Sequence, residues 1–286
     1  METASPPAPV PEKISLEAKS PFEMRIHLGD GVPDTDVKSA LKTGDLGFLH
    51  SFTTGSAVDG PGIRLVAWTT SCMFRCQYCH NPDTWTLKNG IPVPLARAVE
   101  EVQKYARGLI AMDGGFTLSG GEPLMQDRFA ARLFSAVKGM GVHTALETNG
   151  YYGDRLSDLD LQNIDLVILD MKAFTRTQHE RVTGGMGNED VLCFCNRLAA
   201  QKRPMWLRYV LVPGLTDMPE EIEAVADFAA SLGVIERAEI LPFHQMGRYK
   251  WERLGLDYKL AAADPPTIEG VNTAIGIFRA AGLSAC

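Results

Sequence analysis

Three cysteines fall within eight positions of the chain: Cys72, Cys76 and Cys79, spaced C-x3-C-x2-C. Thiolates this close can hold one metal ion or cluster, and soft sulfur ligands select zinc, copper(I) or iron–sulfur. A structural zinc site takes four protein ligands. His80 is the nearest fourth donor, but it adjoins Cys79 directly, which makes a shared tetrahedron awkward. A four-iron cluster on three protein thiolates keeps one iron open for a small-molecule ligand. The spacing therefore favours iron–sulfur over zinc, and either over three inert core thiols. Cys193 and Cys195 lie two apart in an expected helix, where they point about 200° apart and cannot grip one metal together. With Cys286 they read as ordinary thiols.

The elements that must position this trio can be traced along the chain. A β-like run from Gly62 to Thr70 leads into the cysteine loop. Leu95, Val99, Val102, Ala106 and Leu109 recur at three- and four-residue steps, the apolar face of a helix. A short strand at Phe116–Leu118 runs into Ser119-Gly-Gly-Glu-Pro123, and a helix follows with Phe129, Leu133, Phe134 and Val137. Strands are expected from His143 to Leu146, ending in Glu147-Thr-Asn-Gly150, and from Ile164 to Leu169, ending in Asp170-Met-Lys172. A helix around 188–202 precedes a strand from Met205 to Val212. The next helix has Thr216 or Asp217 as its cap, Pro219 in its first turn and Gly233 as its stop. Ala238 to Leu241 is a sixth strand, ending at Pro242-Phe-His244, and a last helix covers about Ile268 to Ala281. Six strand–helix alternations predict an α/β domain on a parallel sheet, open or curved into a full or partial barrel. The unusual residues sit where strands end, and in such sheets those ends share the ligand-binding face.

Composition sets outer limits. The chain of 286 residues has 28 basic and 35 acidic side chains, a formal charge of −7, which argues against a duplex nucleic-acid partner. No apolar run of about 18 residues is present, so no membrane span is expected. Six cysteines in this length do not make a disulfide scaffold. Residues 1–46 carry 6 of the 17 prolines and one aromatic, Phe22, and are expected to be an extension, flexible at least over 1–20. Residues 47–286 are expected to form one domain. The extension has no apolar core for a secretory signal and carries early acids (Glu2, Glu12, Glu17) that ill suit a transit peptide.

Cys72-Met-Phe-Arg-Cys76-Gln-Tyr-Cys79 resembles the signature of the radical S-adenosylmethionine (SAM) superfamily. A wider set of motifs resembles the activases of glycyl radical enzymes, those for pyruvate formate-lyase above all. It comprises Leu49-His-Ser-Phe52, Val58-Asp-Gly-Pro-Gly-Ile-Arg64 and Cys79-His-Asn-Pro-Asp-Thr-Trp85. It continues through Ser119–Pro123, Glu147–Gly150, Asp170–Lys172, Arg208–Gly214, Leu241–His244 and Lys250-Trp251. The resemblance spans about residues 47–284 and implies an incomplete (β/α)6 TIM-like barrel. It implies one [4Fe–4S] cluster on Cys72, Cys76 and Cys79, the catalytic and metal-ligating trio, with SAM at the open iron. One electron breaks a carbon–sulfur bond of SAM, and the 5′-deoxyadenosyl radical takes a hydrogen atom from a partner's glycine. It also implies a low-potential donor such as flavodoxin or ferredoxin, and a cytoplasmic setting where thiols stay reduced.

The same resemblance suggests roles for single residues. Gly120 and Gly121 let backbone approach the SAM ammonium, with Glu122 as a nearby acceptor. Lys172 neutralises the SAM carboxylate, Asp170 accepts from ribose, Tyr78 lies beside adenine, and Arg208 and His244 complete the SAM contacts. Asp59 faces the substrate glycine loop. Taken alone, a Gly-Gly after a strand is an ordinary tight turn, an Asp-x-Lys a surface pair and a strand-end His a structural residue. Glu147 stands where the resembled activase has aspartate, in a place linked with Thr148 and Asp170 to a monovalent cation, so the extra methylene puts that site in question. Residues 80–192 contain no cysteine, which disfavours the activases with extra clusters. Competing readings are an activase of another glycyl radical enzyme, a radical SAM enzyme on a small molecule, or a non-catalytic zinc or cluster protein.

Overall fold

The computed structural model describes residues 37–286. The expected flexibility of residues 1–20 lies outside the described residues. In chain order the elements are α1 (Val37–Thr43), β1 (Leu46–Ser56), β2 (Arg64–Thr69), β3 (Ile91–Pro94), α2 (Leu95–Ala111), β4 (Gly115–Gly120) and α3 (Asp127–Gly139). Then follow β5 (His143–Thr148), α4 (Asp158–Leu161), β6 (Leu166–Asp170), α5 (Arg176–Thr183), α6 (Glu189–Ala200), β7 (Met205–Leu211) and α7 (Pro219–Leu232). The chain closes with β8 (Ile235–Pro242), α8 (Arg248–Arg253) and α9 (Ile268–Ala280). One eight-stranded sheet runs in the order β3-β1-β2-β4-β5-β6-β7-β8.

Six strands, β2 and β4 to β8, are parallel, as the alternation of strands and helices predicts. The structure adds β1, which runs antiparallel between β2 and β3. Its sequence, Leu-Gly-Phe-Leu-His-Ser-Phe-Thr-Thr-Gly-Ser, carries little alternation and escapes a period-based reading. The folded body also begins ahead of Gly47. Helix α1 precedes a turn in which Asp45 pairs with Arg132 at 2.5 Å, and Arg132 also donates to the Thr43 carbonyl at 3.0 Å. Cap assignment differs at α7. Met218 occupies the N-cap, while the Thr216 hydroxyl closes the preceding turn onto Val210 and Val212 and Asp217 accepts from Gly214 N. Gly233 ends the helix in the left-handed region, as expected.

Register divides the sheet into two faces, because paired residues of parallel strands point the same way and neighbours along a strand point oppositely. Phe116, Leu118, Leu146, Val167, Leu169 and Leu207 share the outer face and join the main apolar core under the helices. The inner face is different. Ala145, Leu166, Ile168 and Trp206 form a small separate apolar cluster, and above it stand Glu147, Asp170, Arg208 and Glu239. β4 and β7 are three positions apart, about 14 Å on a flat sheet. Even so, Asp59, bonded through its carbonyl to Thr117 of β4, brings its carboxylate to 3.8 Å from Arg208 of β7. Side chains thus bridge the inner space from both sides. Among the described residues no helix is long and apolar enough to cross a membrane.

Candidate active site

The cysteine loop leaves the end of β2 and is fixed along its length. Ser71, at φ 81°, takes a left-handed turn, and its N–H bonds to the Thr84 carbonyl at 2.7 Å. Cys72 N bonds to the Trp85 carbonyl. Phe74 plugs into the core, edge-on to Tyr151 and His179 with centroids 5.6 and 5.4 Å away. Arg75 N and Gln77 N then hang the loop on the last carbonyls of α5, those of Thr183 and Val182. Cys79 N closes a turn on Cys76 O, and the Trp251 indole of α8 donates to Cys79 O at 2.8 Å. The trio is thus held by backbone bonds and packing. Burial pushes all three thiols up, Cys76 to about 12, and for Cys72 the neighbouring Cys76 adds to the effect. Among the described residues no three His, Cys, Asp or Glu side chains converge as a single-ion site.

Beside the trio lie Tyr78, Asp170 and Lys172. Lys172 extends past the end of β6, pairs with Asp170 at 2.8 Å and stands 5.4 Å from the Tyr78 ring centroid. Burial disfavours its charge, but Asp170 more than offsets this and the ammonium is held well above the usual lysine range. The buried Tyr78 hydroxyl has no hydrogen-bond partner. On the far side of the loop His80 and His244 face each other with ring centroids 4.1 Å apart, and His80 Nε2 meets the His244 carbonyl at 3.3 Å.

Gly120 and Gly121 sit against the end of β2. A Cβ on Gly120 would strike the Thr69 backbone, and one on Gly121 the Ser71 carbonyl at 2.5 Å. Close approach of the chain to itself therefore requires both glycines. Glu122 is fully buried and accepts from Leu124 N, Asn149 N and the Thr148 hydroxyl at 2.9, 2.8 and 2.7 Å. Burial raises it to about 7 although those bonds favour its charge. It ties the end of β4 to the end of β5.

The second constellation surrounds Arg208. Its guanidinium pairs with Glu147, with Glu239 at 2.8 Å and more loosely with Asp59, and donates to the Val58 carbonyl. Burial opposes its charge, but Glu147 and Glu239 outweigh it and drive the pKa up. Burial is also the main cause of a raised Glu147. One Glu147 oxygen, Oε2, is buried without a partner. Glu147 and Asp170, expected with Thr148 at a cation site, lie close enough for Asp170 to act on the Glu147 carboxyl. Glu147 pairs with Arg208, Thr148 bonds Glu122 and Asp170 pairs with Lys172.

Motif reading did not single out Glu239, and it named Trp251, His80 and His244 without their contacts to Cys79 and to each other. Glu239 left a weak signal, a lone charge between Ala238 and Ile240 in the second half of its strand. The contacts of Trp251 and His80 join segments more than 160 residues apart and left none.

The sheet and its thiol loop define a radical SAM protein, and the model of the radical SAM superfamily matches residues 66–229. A Staphylococcus epidermidis protein named pyruvate formate-lyase-activating enzyme is 40% identical over 235 residues, covering 80% of this chain and 93% of that one. The Escherichia coli pyruvate formate-lyase 1-activating enzyme is 38% identical over 239 residues, covering 83% and 97%. The chain belongs to the family of pyruvate formate-lyase activating enzymes. A crystal structure of a domain of the Bacteroides vulgatus activating enzyme superposes with TM-score 0.50 at 25% identity, over 60% of this chain and 98% of that one. Streptococcus suis SuiB bound to SAM shares the fold at TM-score 0.57 and 13% identity, over 87% of this chain and 52% of that one.

Proposed function

We propose that the chain, working as one catalytic domain over residues 47–286, activates pyruvate formate-lyase by generating its glycyl radical. The observation that carries this reading is the fixed three-thiol loop beside the buried Lys172, paired with Asp170, and beside Tyr78. The residues fit the implied groups. Three thiols in one loop suit a [4Fe–4S] cluster with an open iron. The unpartnered buried hydroxyl on Tyr78 suits a polar ligand. When bound, the cluster supplies one electron to the SAM sulfonium, and the resulting 5′-deoxyadenosyl radical takes the glycine α-hydrogen.

The chain's own residues bind, aim and shield. Cys72, Cys76 and Cys79 ligate, and because burial holds them protonated, loading must release protons. Lys172 meets the SAM carboxylate as a point charge, with Asp170 orienting it. Tyr78 and His244 flank the ligand. Gly120 and Gly121 keep the backbone close to its ammonium, and Glu122, largely engaged by its three donors, holds that backbone in place. Arg208 and Glu147 stand between this pocket and Asp59, which faces the partner's glycine loop. The electron donor is a low-potential protein such as flavodoxin or ferredoxin, and the compartment is the cytoplasm, where the thiols stay reduced.

Anaerobic loading with iron and sulfide, then dithionite and SAM, tests the reaction. We expect 5′-deoxyadenosine, and its absence would overturn a radical SAM function. Adding pyruvate formate-lyase is expected to yield a glycyl radical signal by electron paramagnetic resonance. No signal, despite deoxyadenosine, would redirect the partner.

A further inference from the structure

Arg64, the first residue of β2, is the largest fully buried side chain among the described residues. The nearest acids, Asp165 and Asp59, support its charge only through space, and burial pushes it down to about 10. It therefore stays charged at neutral pH. A buried charge of this kind is costly unless its donors are met.

They are met at one place. Nε donates to the Thr117 hydroxyl at 3.0 Å, and Nη1 to the Pro61 carbonyl at 3.2 Å. Nη2 donates to the Phe116 carbonyl at 2.6 Å and the His143 carbonyl at 3.4 Å. Nη1 also meets His143 Nδ1 at 3.3 Å, which must act as the acceptor because a guanidinium has no lone pair. The Thr117 hydroxyl in turn donates to the Asp59 carbonyl at 2.6 Å. Glycines clear the space. A Cβ on Gly60 (φ 126°) would lie 3.1 Å from Arg64 Nε, and one on Gly115 would strike the guanidinium. The other side of the same loop is held by Arg208 at the Val58 carbonyl and by Ser56 at the Asp59 carboxylate. Val58 itself projects 71% exposed.

We propose that Arg64 is a positioning residue: through Thr117 and Pro61 it sets the 58–63 loop and so presents Asp59 to the incoming protein substrate. This rests on the reading of Asp59 given above. A role in stability alone would be met as well by an apolar side chain of similar volume, whereas here the guanidinium bonds Pro61 within the turn and reaches Asp59 through Thr117.

Thr117→Val removes the relay hydroxyl at constant volume, and Arg64→Lys keeps the charge but loses the fork. On the cluster-loaded enzyme both should raise KM for the protein substrate by about fivefold or more, the size of one lost hydrogen bond. KM for SAM should stay within about twofold on the same reasoning. Deoxyadenosine formed per glycyl radical should rise. On the cluster-free chain, amide hydrogen exchange should quicken over 58–63 and not over β5 to β7. An unchanged KM for the protein substrate, equal changes in both KM values, or faster exchange across the whole sheet would each overturn the proposal. Should Arg64→Lys fail to fold, Thr117→Val decides. If the unmutated chain makes no deoxyadenosine, the functional reading fails, and the exchange measurement still judges the positioning role.

Discussion

Strand β6 shows the two sides of this molecule in five residues. Val167 and Leu169 turn outward into the apolar core under the helices, while Leu166, Ile168 and Asp170 turn inward. On the outer face, stability comes from area and fit: close-packed aliphatic and aromatic side chains, each worth roughly 1.5–3 kcal/mol when fully buried. On the inner face Ala145, Leu166, Ile168 and Trp206 pack in that way as a small cluster. Charge stands above them: Arg208 among Glu147, Glu239 and Asp59, and Lys172 on Asp170. Such groups give little net stability once desolvation is counted, but they are directional. The outer face therefore holds the fold together, and the inner face trades stability for a defined arrangement of donors and acceptors around the thiols.

That contrast can be broken or sharpened by substitution, and the largest effect belongs to the thiols. Cys76→Ala should abolish cluster absorbance and deoxyadenosine formation while the cluster-free chain keeps a thermal midpoint within about 5 °C of the parent. Retained turnover would refute the site. Next comes the charged centre. Arg208→Met strands Glu147 and should cost ~3–5 kcal/mol by urea unfolding, with part of it recovered in Arg208→Met/Glu147→Gln. A simple sum of the two single effects would show that the pair is not coupled. Leu169→Ala, on the outer face, should cost ~3 kcal/mol yet leave deoxyadenosine formation per folded molecule unchanged. A selective loss of activity there would end the division of labour between the faces. The smallest effect concerns the cation. Because Glu147 and Asp170 are already paired with Arg208 and Lys172, rates in sodium and potassium should agree within about twofold. A strong preference for one ion would support a cation site at Glu147, Thr148 and Asp170.

Much of this arrangement was legible beforehand, for local reasons. The parallel strands were readable because buried strands are short apolar runs that end in turn residues. The thiol trio was readable because its ligands lie in one loop. What escaped detection depended on distance or on weak patterning. β1 lacks a clean period, and α1 is a single short helix within the expected extension. The glycines of Gly120-Gly121, expected to give room for a ligand, also make room for Thr69 and Ser71 of the chain itself. Glu122, expected as a ligand acceptor, also ties β4 to β5.

The sequence alone determined the chemistry that is possible: three thiols at fixed spacing, and charged or small residues at the ends of strands. Those are properties of neighbouring residues, set by spacing of a few positions. Only the tertiary structure decided which charges meet. Arg208 is expected among the SAM contacts, and the curl of the sheet places it within reach of carboxylates from β5, β8 and the β1–β2 loop. Arg64 reads as one more charge beside a glycine-rich turn until folding buries it and leaves it only Thr117, Pro61, Phe116 and His143 to bond. Electrostatic partners depend on distance through space, and that distance is fixed only when the sheet closes over them.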